Sequence, residues 1–437
     1  MNRLMTIFAL LAIPLAAAAD TTAIVGGKVH TVGPQGTIDN ATIIIVDGKI
    51  HAVGSGIGVP DGATTIDATD KIITPGLFSP VGRLGLIEVS SSAGPVDSRQ
   101  LGDQFTASFD IADAYNPRST LIAINRIEGV TRAAITPAPG NADDYGNVAH
   151  VISGLAAIVN LGDSDPLDKR AAAMVVSLGQ RGSRMAGGSR TGAWLVLRNA
   201  LDEALDYRDH KGDFERGMRR DYRHSIADLE ALQGVISGDI PILANIERAS
   251  DIEVLIDLTD EYGLRAIISG GTEAWMLAER VAAANIAVIL APTVNLPFSF
   301  DGINARLGAA NILVEAGVTV ALAADVSNPS HNARNITQSA GNAVADGLDW
   351  DAALRAITLS PAEIYGVADS VGSIEAGKAA DLVIWPADPF ELRTYADTVI
   401  INGVSIPMVS RQTLLRDRYL QSESGKPPAY RDRNVGQ

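Results

Sequence analysis

Cysteine and histidine, two residue types that often carry out chemistry, are absent or scarce in this sequence. Its 437 residues include no cysteine, which excludes cysteine nucleophiles and thiolate metal sites. Only six histidines are present, at His30, His51, His150, His210, His224 and His331. His331 follows Asp325 by six residues in the segment VALAADVSNPSHNARN. Carboxylates, arginines and single histidines are therefore the side chains left for acid–base catalysis or ion binding.

A glycine- and arginine-rich segment, SLGQRGSRMAGGSRTGAW, spans residues 177–194. Its guanidinium groups and free backbone N–H groups could bind an anion. Mobile surface loops have the same composition, so the sequence leaves both interpretations open.

The middle of the chain alternates short apolar runs with longer amphipathic stretches. LRAIISGG, IAVILAP and VTVALAAD are examples of the runs, and DIEVLIDLTDEYG is one of the stretches between them. Buried strands that alternate with helices predict a parallel sheet, and over residues 73–368 a (β/α)8 TIM-like barrel is the simplest arrangement. An open doubly wound sheet is the alternative. The absence of a GxGxxG motif after the first strand disfavours a dinucleotide-binding version of it.

Both ends of the chain are rich in short strands. Residues 20–72 contain Asp47-Gly48 between two β-branched runs, a strong hairpin signal, and residues 369–410 contain Asn402-Gly403. A charged segment at 193–224 has a helical pattern and is expected to be a solvated insert. Residues 411–437 are expected to form a polar tail.

The first twenty residues, MNRLMTIFALLAIPLAAAAD, resemble a secretory signal peptide. Arg3 precedes an apolar run from Leu4 to Leu15, and small residues continue to Ala19. That run is shorter than the roughly 20 residues of a membrane span, which disfavours an anchor. We therefore expect residues 1–19 to be removed, and the mature protein to be secreted or periplasmic with no transmembrane anchor.

The net charge of −16 disfavours nucleic acid as a partner, because a phosphate backbone is bound through basic surfaces. The expected ligand is instead a small molecule or a short peptide-like compound. The sequence leaves the oligomeric state open.

Two stretches resemble the amidohydrolase superfamily, in particular its imidazolonepropionase-like and dihydroorotase-like metal-dependent hydrolases. KIITPGLFSPVGRLGL is similar to the PGLIDxHxH segment of the first barrel strand in that superfamily. Residues 353–389, ALRAITLSPAEIYGVADSVGSIEAGKAADLVIWPADP, resemble its closing segment. The resemblance implies a TIM-like barrel beside a composite β-sandwich, built from the N-terminal and C-terminal segments together.

The same resemblance implies a divalent metal centre, such as zinc, at the carboxyl ends of the barrel strands. Its ligands are the HxH of strand 1, a histidine each from strands 5 and 6, and an aspartate from strand 8. In this sequence the strand-1 positions are Val81 and Arg83, the strand-5 position is Asn245, and the strand-6 position lies within 269–271. Only the aspartate remains, as Asp325, so the resemblance implies a degenerate metal site.

The resemblance also places other polar residues near this site. Asp325 and Glu247 could supply the general acid and base, and Arg83 could hold an anionic group or stabilise an oxyanion. Asn245, His331 and Glu273 are then candidates for substrate binding.

Structural roles are the alternative for several of these candidates. Asp325 could form an ion pair with Arg83 in place of the metal, and His331 could be an ordinary loop residue. Glu273 could be a carboxylate in the first turn of a helix. Two functions follow from these alternatives: an exported hydrolase of amide or other C–N bonds with an atypical metal site, or a non-catalytic protein that binds a ligand or partner on the same scaffold.

Overall fold

The computed structural model describes residues 21–89, 91–92, 94–102, 104–140, 149–324 and 331–420. The expected signal peptide, Asp325 and residues 421–437 lie outside this part of the chain. The strands are β1 (Thr21–His30), β2 (Thr37–Val46), β3 (Lys49–Ser55), β4 (Thr64–Asp67), β5 (Ile72–Pro75), β6 (Leu77–Gly82), β7 (Val130–Ile135), β8 (Ile152–Asn160), β9 (Leu167–Ser177), β10 (Ile242–Ile246), β11 (Ala266–Gly270), β12 (Ala287–Leu290), β13 (Val320–Leu322), β14 (Leu382–Trp385), β15 (Thr398–Ile401) and β16 (Val404–Ser405).

Helices connect most of the later strands. They are α1 (Thr120–Arg126), α2 (Gly179–Met185), α3 (Arg190–Glu215), α4 (Ile226–Ala231), α5 (Gln233–Ile236), α6 (Ala249–Tyr262), α7 (Ala278–Ala283), α8 (Ala309–Glu315), α9 (Ile336–Ala345), α10 (Trp350–Ala356), α11 (Leu359–Ile364) and α12 (Arg411–Leu420). Within the described residues, no helix is both long enough and apolar enough to cross a lipid bilayer.

One sheet is composite, as the resemblance implies. Its strand order is β16-β15-β14-β5-β1-β2-β3, with β4 also paired to β1. The two ends of the chain meet where β14 pairs antiparallel with β5, so that Val383 lies opposite Thr74. The predicted hairpin between β2 and β3 is present, and Asp47 and Gly48 both have positive φ, as its tight turn requires.

The second sheet is a nearly closed barrel in the order β6 to β13, which confirms the predicted fold class. It departs from an all-parallel barrel at one strand, because β8 pairs antiparallel with both β7 and β9. The connection between β8 and β9 spans only residues 161–166, too short for the crossover that parallel strands need. The barrel is therefore mixed.

The barrel interior is packed with side chains rather than hollow. Phe78, Val175, Leu243 and Ile289 come from different strands and share one buried cluster there. Tyr365, which follows α11, is buried beside them and donates its hydroxyl to the carbonyl of Pro80 at 2.6 Å. Any ligand site must therefore lie at an end of the barrel.

The predicted charged insert is only partly solvated. Helix α3 buries Ala193, Trp194, Leu197 and Leu201 in the main hydrophobic core, while its charged residues lie on the other face. The expected polar tail begins with a regular element, α12, and the rest of that segment lies outside the described residues.

Gly76 joins the two sheets, and we expect Gly76→Ala to destabilise the protein by about 1–3 kcal/mol through overpacking. A Cβ at this position would overlap the buried side chain of Thr131 on β7. Gly58→Ala is the matched control, because a Cβ there meets no atom within 4 Å, and its effect should stay within about 0.5 kcal/mol. Urea unfolding of the two variants measures the difference, and equal midpoints would contradict this packing argument.

Candidate functional site

The carboxyl ends of the barrel strands enclose a small polar cavity of about 80 Å³. Arg83 follows β6, Asn245 lies near the end of β10, and Ser269 lies near the end of β11, and all three line it. Arg181 from α2 and Thr136 after β7 complete its polar lining. The structure therefore brings two predicted ligand-binding residues, Arg83 and Asn245, into one site, which is called the arginine cavity below.

A second cavity of about 60 Å³ adjoins the first. Val81 and Ser269 line both cavities, so they form the partition between them. Glu247, which follows β10, is the acidic residue of the second cavity, and Thr272 and Asn295 are among its other polar residues. This second space is called the glutamate cavity below.

Arg83 carries a charge that the described residues do not neutralise. Its Nε is buried and has no hydrogen-bond partner among them, and none of their ion pairs includes its guanidinium. Burial, together with the like charges of Arg181 and Arg99, lowers the pKa of Arg83 to about 10. Among the described residues, the charged side chains that line the arginine cavity are thus all positive.

Glu247 is held in place by the turn after β11. Its Oε2 accepts hydrogen bonds from the Thr272 backbone N–H, at 3.0 Å, and from the Thr272 hydroxyl. Burial raises the pKa of this carboxyl, with further contributions from the charges of Asp301 and Glu273. Gly270 has a φ of +99°, and a Cβ there would overlap the Glu247 carboxyl, so only glycine leaves room for this arrangement.

Asn245 links the cavity to the neighbouring strand. Its Nδ2 donates to the carbonyl of Val176 on β9 at 3.2 Å, which leaves the amide oxygen as the group that can contact a ligand. Asn245 therefore bonds to β9 through its amide nitrogen and also lines the arginine cavity.

Glu273 and His331 do not line either cavity. Glu273 is buried, and its two oxygens accept hydrogen bonds from the Ala249 N–H at the start of α6 and from the N–H and side-chain amide of Asn304. These bonds give Glu273 a structural role in place of the substrate contact expected from the sequence. His331 precedes the short turn before α9. Asp325 lies outside the described residues, so its expected catalytic, metal-binding and ion-pair roles remain predictions.

Sequence reasoning did not single out Arg181 or Thr136. A partial signal for Arg181 existed, since it lies in the glycine- and arginine-rich segment 177–194, which the sequence left open as an anion-binding loop. The structure folds this part of the segment into α2 and turns Arg181 toward the barrel mouth. Thr136 had no such signal, because its position depends only on the end of β7.

A larger cavity of about 410 Å³ lies beside the mouth, between the start of β8, helix α3 and the turn before α4. His150 and His224 both line it, although they lie far apart in the sequence. Glu203 accepts from Nδ1 of His224 at 2.8 Å, and the Gly102 carbonyl lies 2.7 Å from Nε2 of His150. These bonds commit each ring to a structural contact.

Asp228 forms the buried floor of this larger cavity. Burial opposes its ionisation, but hydrogen bonds from Ser108, Thr106 and Ser225 outweigh that effect and lower its pKa. Its Oδ1 accepts from the backbone N–H groups of Thr106 and Ser108 at 2.9 and 2.8 Å. Asp228 therefore holds a loop in place rather than offering a free acid–base group.

Comparison with known proteins agrees with this architecture. A model of the amidohydrolase family matches residues 254–406. The amidohydrolase tasK of Hapsidospora irregularis is 24% identical over 375 residues, covering 79% of this chain and 37% of that protein. An imidazolonepropionase of Bacteroides fragilis (strain YCH46) is 25% identical over 222 residues, covering 49% of this chain and 50% of that protein. The chain thus spans half or less of the length of these relatives.

A solved amidohydrolase from Thermotoga maritima MSB8 superposes with a TM-score of 0.78 at 24% identity, over 88% of this chain and 99% of that one. The family match and these relatives support the resemblance of the chain to the amidohydrolase superfamily. A triazine hydrolase from Arthobacter aurescens shares the fold at a TM-score of 0.54 and 18% identity, over 91% of this chain and 98% of that one.

The metal centre typical of the amidohydrolase superfamily does not fit the residues described here. Among them, no group of three or more histidine, aspartate or glutamate residues is placed to hold a metal ion. The first-strand ligand positions are Val81 and Arg83, and the guanidinium of Arg83 puts a positive charge where a cation would bind. Asn245 and Ser269 offer only neutral oxygens at the other positions, which bind transition metals weakly.

Proposed function

We propose that this protein hydrolyses an amide or other C–N bond of a small molecule or short peptide-like compound at the barrel mouth, without a superfamily-type metal centre. The observation that carries this proposal is the pairing of two adjoining cavities, one lined by Arg83, which no described residue neutralises, and the other by Glu247. Resemblance to the amidohydrolase superfamily supports the reaction class, and the place of both residues at the carboxyl ends of barrel strands supports the location.

The proposed reaction needs one acid–base group and one positive charge. Glu247, whose pKa is raised by burial, accepts a proton as water adds to the carbonyl carbon, and then returns a proton to the leaving nitrogen. Arg83 holds an anionic group of the substrate through its positive charge. The C–N bond breaks to give a carboxylic acid and an amine. Asp325, which lies outside the described residues, is proposed from the sequence as a second acid–base group.

A screen with and without a chelator tests this proposal. The purified protein is incubated with a panel of N-acyl amino acids and dipeptide amides, and amine release is followed before and after treatment with EDTA. We expect hydrolysis of at least one compound, with a rate that changes by less than about twofold on chelation, together with less than one zinc, manganese or iron per chain. Activity that disappears with EDTA and returns with zinc would contradict the metal-independent route.

A second candidate function is ligand binding without catalysis. It is favoured by the small size of the two cavities, about 80 and 60 Å³, against the roughly 300–1,000 Å³ of most ligand pockets. In the same screen this candidate predicts no amine release from any compound, but a rise in melting temperature with some of them.

Export is proposed on the signal-like N-terminus alone. Expression of the full chain in a bacterium with separate cytoplasmic and periplasmic fractions should yield a protein that begins near Asp20 outside the cytoplasm. A chain that retains Met1 in the cytoplasm would contradict export. We also propose that the protein does not bind nucleic acid, because its net charge is −16.

A further inference from the structure

The arginine cavity contains positive charge without a matching negative charge among the described residues. Arg83 and Arg181 both line it, and Arg99 is close enough to lower the pKa of Arg83 by repulsion. None of the three forms an ion pair with a described carboxylate. Glu247 belongs to the adjoining cavity and accepts its bonds from Thr272 rather than from an arginine.

Two other arginines of the described residues are closely paired with carboxylates. Arg132 is buried with Asp168 at 2.8 Å and Asp381 at 2.9 Å. Arg190 is held between Asp251, at 3.0 Å, and Asp301. Since an unpaired and largely buried charge is costly, the contrast at Arg83 indicates that a negative group from outside the described residues completes the cavity.

We propose that the arginine cavity binds the carboxylate or phosphate group of a small anionic ligand between Arg83 and Arg181. Planar guanidinium groups match the oxygen geometry of both anions. Thr136 and Ser269 add hydroxyl groups that can donate to the remaining oxygens, and Asn245 adds an amide oxygen that can accept from a neighbouring donor.

The size of the cavity limits what it can accept. A volume of about 80 Å³ suits a single anionic head group rather than a whole substrate, because one water molecule takes about 30 Å³ in the liquid. Val81 and Ser269 line both this cavity and the glutamate cavity, so a ligand held by Arg83 lies next to the space that Glu247 lines. This inference rests on the proposed function for one point, namely that the substrates are amides bearing a carboxylate or phosphate whose scissile bond lies toward Glu247.

Thermal unfolding in the presence of simple anions tests the site directly. The mature chain is titrated with inorganic phosphate and, separately, with acetate, each against sodium chloride at equal ionic strength. The variants are Arg83→Met, Arg181→Met and Arg83→Lys. Arg184→Met is the matched control, because Arg184 lies on the same helix but does not line the cavity.

We expect at least one of the two anions to raise the melting temperature of the unmodified protein above the chloride reference. The anion concentration that gives half of the maximal effect should increase about tenfold or more in Arg83→Met and Arg181→Met. It should increase less in Arg83→Lys, because lysine keeps the positive charge but cannot form two parallel hydrogen bonds to the anion. Arg184→Met should respond like the unmodified protein. A response to phosphate alone would identify a phosphate-bearing ligand, and a response to acetate a carboxylate-bearing one.

Two results would overturn the inference. One is the absence of any response to either anion, and the other is an equal response in all variants, which would indicate an adventitious ion only. If Arg83→Met fails to fold, Arg181→Met and Arg83→Lys still decide the question. The thermal assay measures no turnover, so its result is independent of the amide screen. An anion response without amide hydrolysis would exclude the proposed hydrolase activity but keep the anion site. Hydrolysis without an anion response would keep the activity but exclude the anion site.

Discussion

Replacing Asp381 with alanine should lower the free energy of unfolding by about 3–5 kcal/mol, the usual cost of removing one partner from a buried ion pair. Asp381 precedes β14 in the composite sheet, and its Oδ2 lies 2.9 Å from a guanidinium nitrogen of Arg132 on barrel strand β7. Both side chains are only 5% exposed. The other oxygen, Oδ1, accepts from the Asn402 N–H at 2.8 Å. The change therefore leaves buried Arg132 with Asp168 as its remaining carboxylate partner, and it removes the acceptor of the Asn402 N–H where the two sheets meet.

Asp163→Ala is the control for Asp381→Ala. Asp163 also pairs with an arginine, Arg126, at 2.7 Å, but its side chain is 72% exposed, so its loss should cost at most about 1 kcal/mol. Equilibrium unfolding in guanidinium chloride compares the two variants with the unmodified protein. If Asp381→Ala costs no more than Asp163→Ala, the buried cluster does not hold the two sheets together.

Replacing Glu247 with glutamine should reduce the proposed hydrolysis by about 10²- to 10⁴-fold, because the amide cannot accept or return a proton. The substitution keeps the shape of the side chain, and its carbonyl oxygen can still accept from Thr272. Glu279→Gln is the control, since Glu279 is exposed on α7 and lines neither cavity of the mouth. Steady-state rates on the compound identified by the amide screen give the comparison. Equal rates in the two variants would exclude Glu247 as the acid–base group.

The pH dependence of Glu247→Gln supplies an independent readout. Burial raises the pKa of Glu247 above its ordinary value of 4.5, so the folded chain holds this proton more tightly than the unfolded chain does. The stability contributed by the neutral carboxyl is therefore fully present below about pH 4.5 and is lost as the pH rises through the raised pKa. Glutamine is neutral throughout. Glu247→Gln should thus match the unmodified protein near pH 4 and be the more stable of the two at pH 8.

The same ionisation should appear in the kinetics. Since the proposed base must be deprotonated, kcat/KM should fall on the acid side at a pH above 4.5, the ordinary carboxyl value. If Glu247→Gln is more stable but less active than the unmodified protein at pH 8, then Glu247 is buried for its function at the expense of stability. A loss of both at pH 8 would instead indicate that Glu247 is structural.

Much of the fold could be predicted from local patterns, because hydrophobic periodicity and turn residues act within a few positions of the chain. Asp47-Gly48 forms its predicted hairpin, since two residues with positive φ determine that turn almost alone. The alternation of apolar runs and helices was enough to predict a barrel. It was not enough to predict the reversed strand β8, because buried strands have the same composition in either direction.

The sequence by itself determined which side chains occupy the metal-ligand positions of the amidohydrolase superfamily, with Val81 and Arg83 on the first strand and Asn245 on the fifth. Only the tertiary structure decided that Arg181 joins Arg83 in one cavity, that Glu247 lies across a partition from them, and that Glu273 is used for structure. The physical reason is that the residue at each position of a strand can be read from the local sequence. The charge balance of a site depends instead on groups that come together only when distant segments pack.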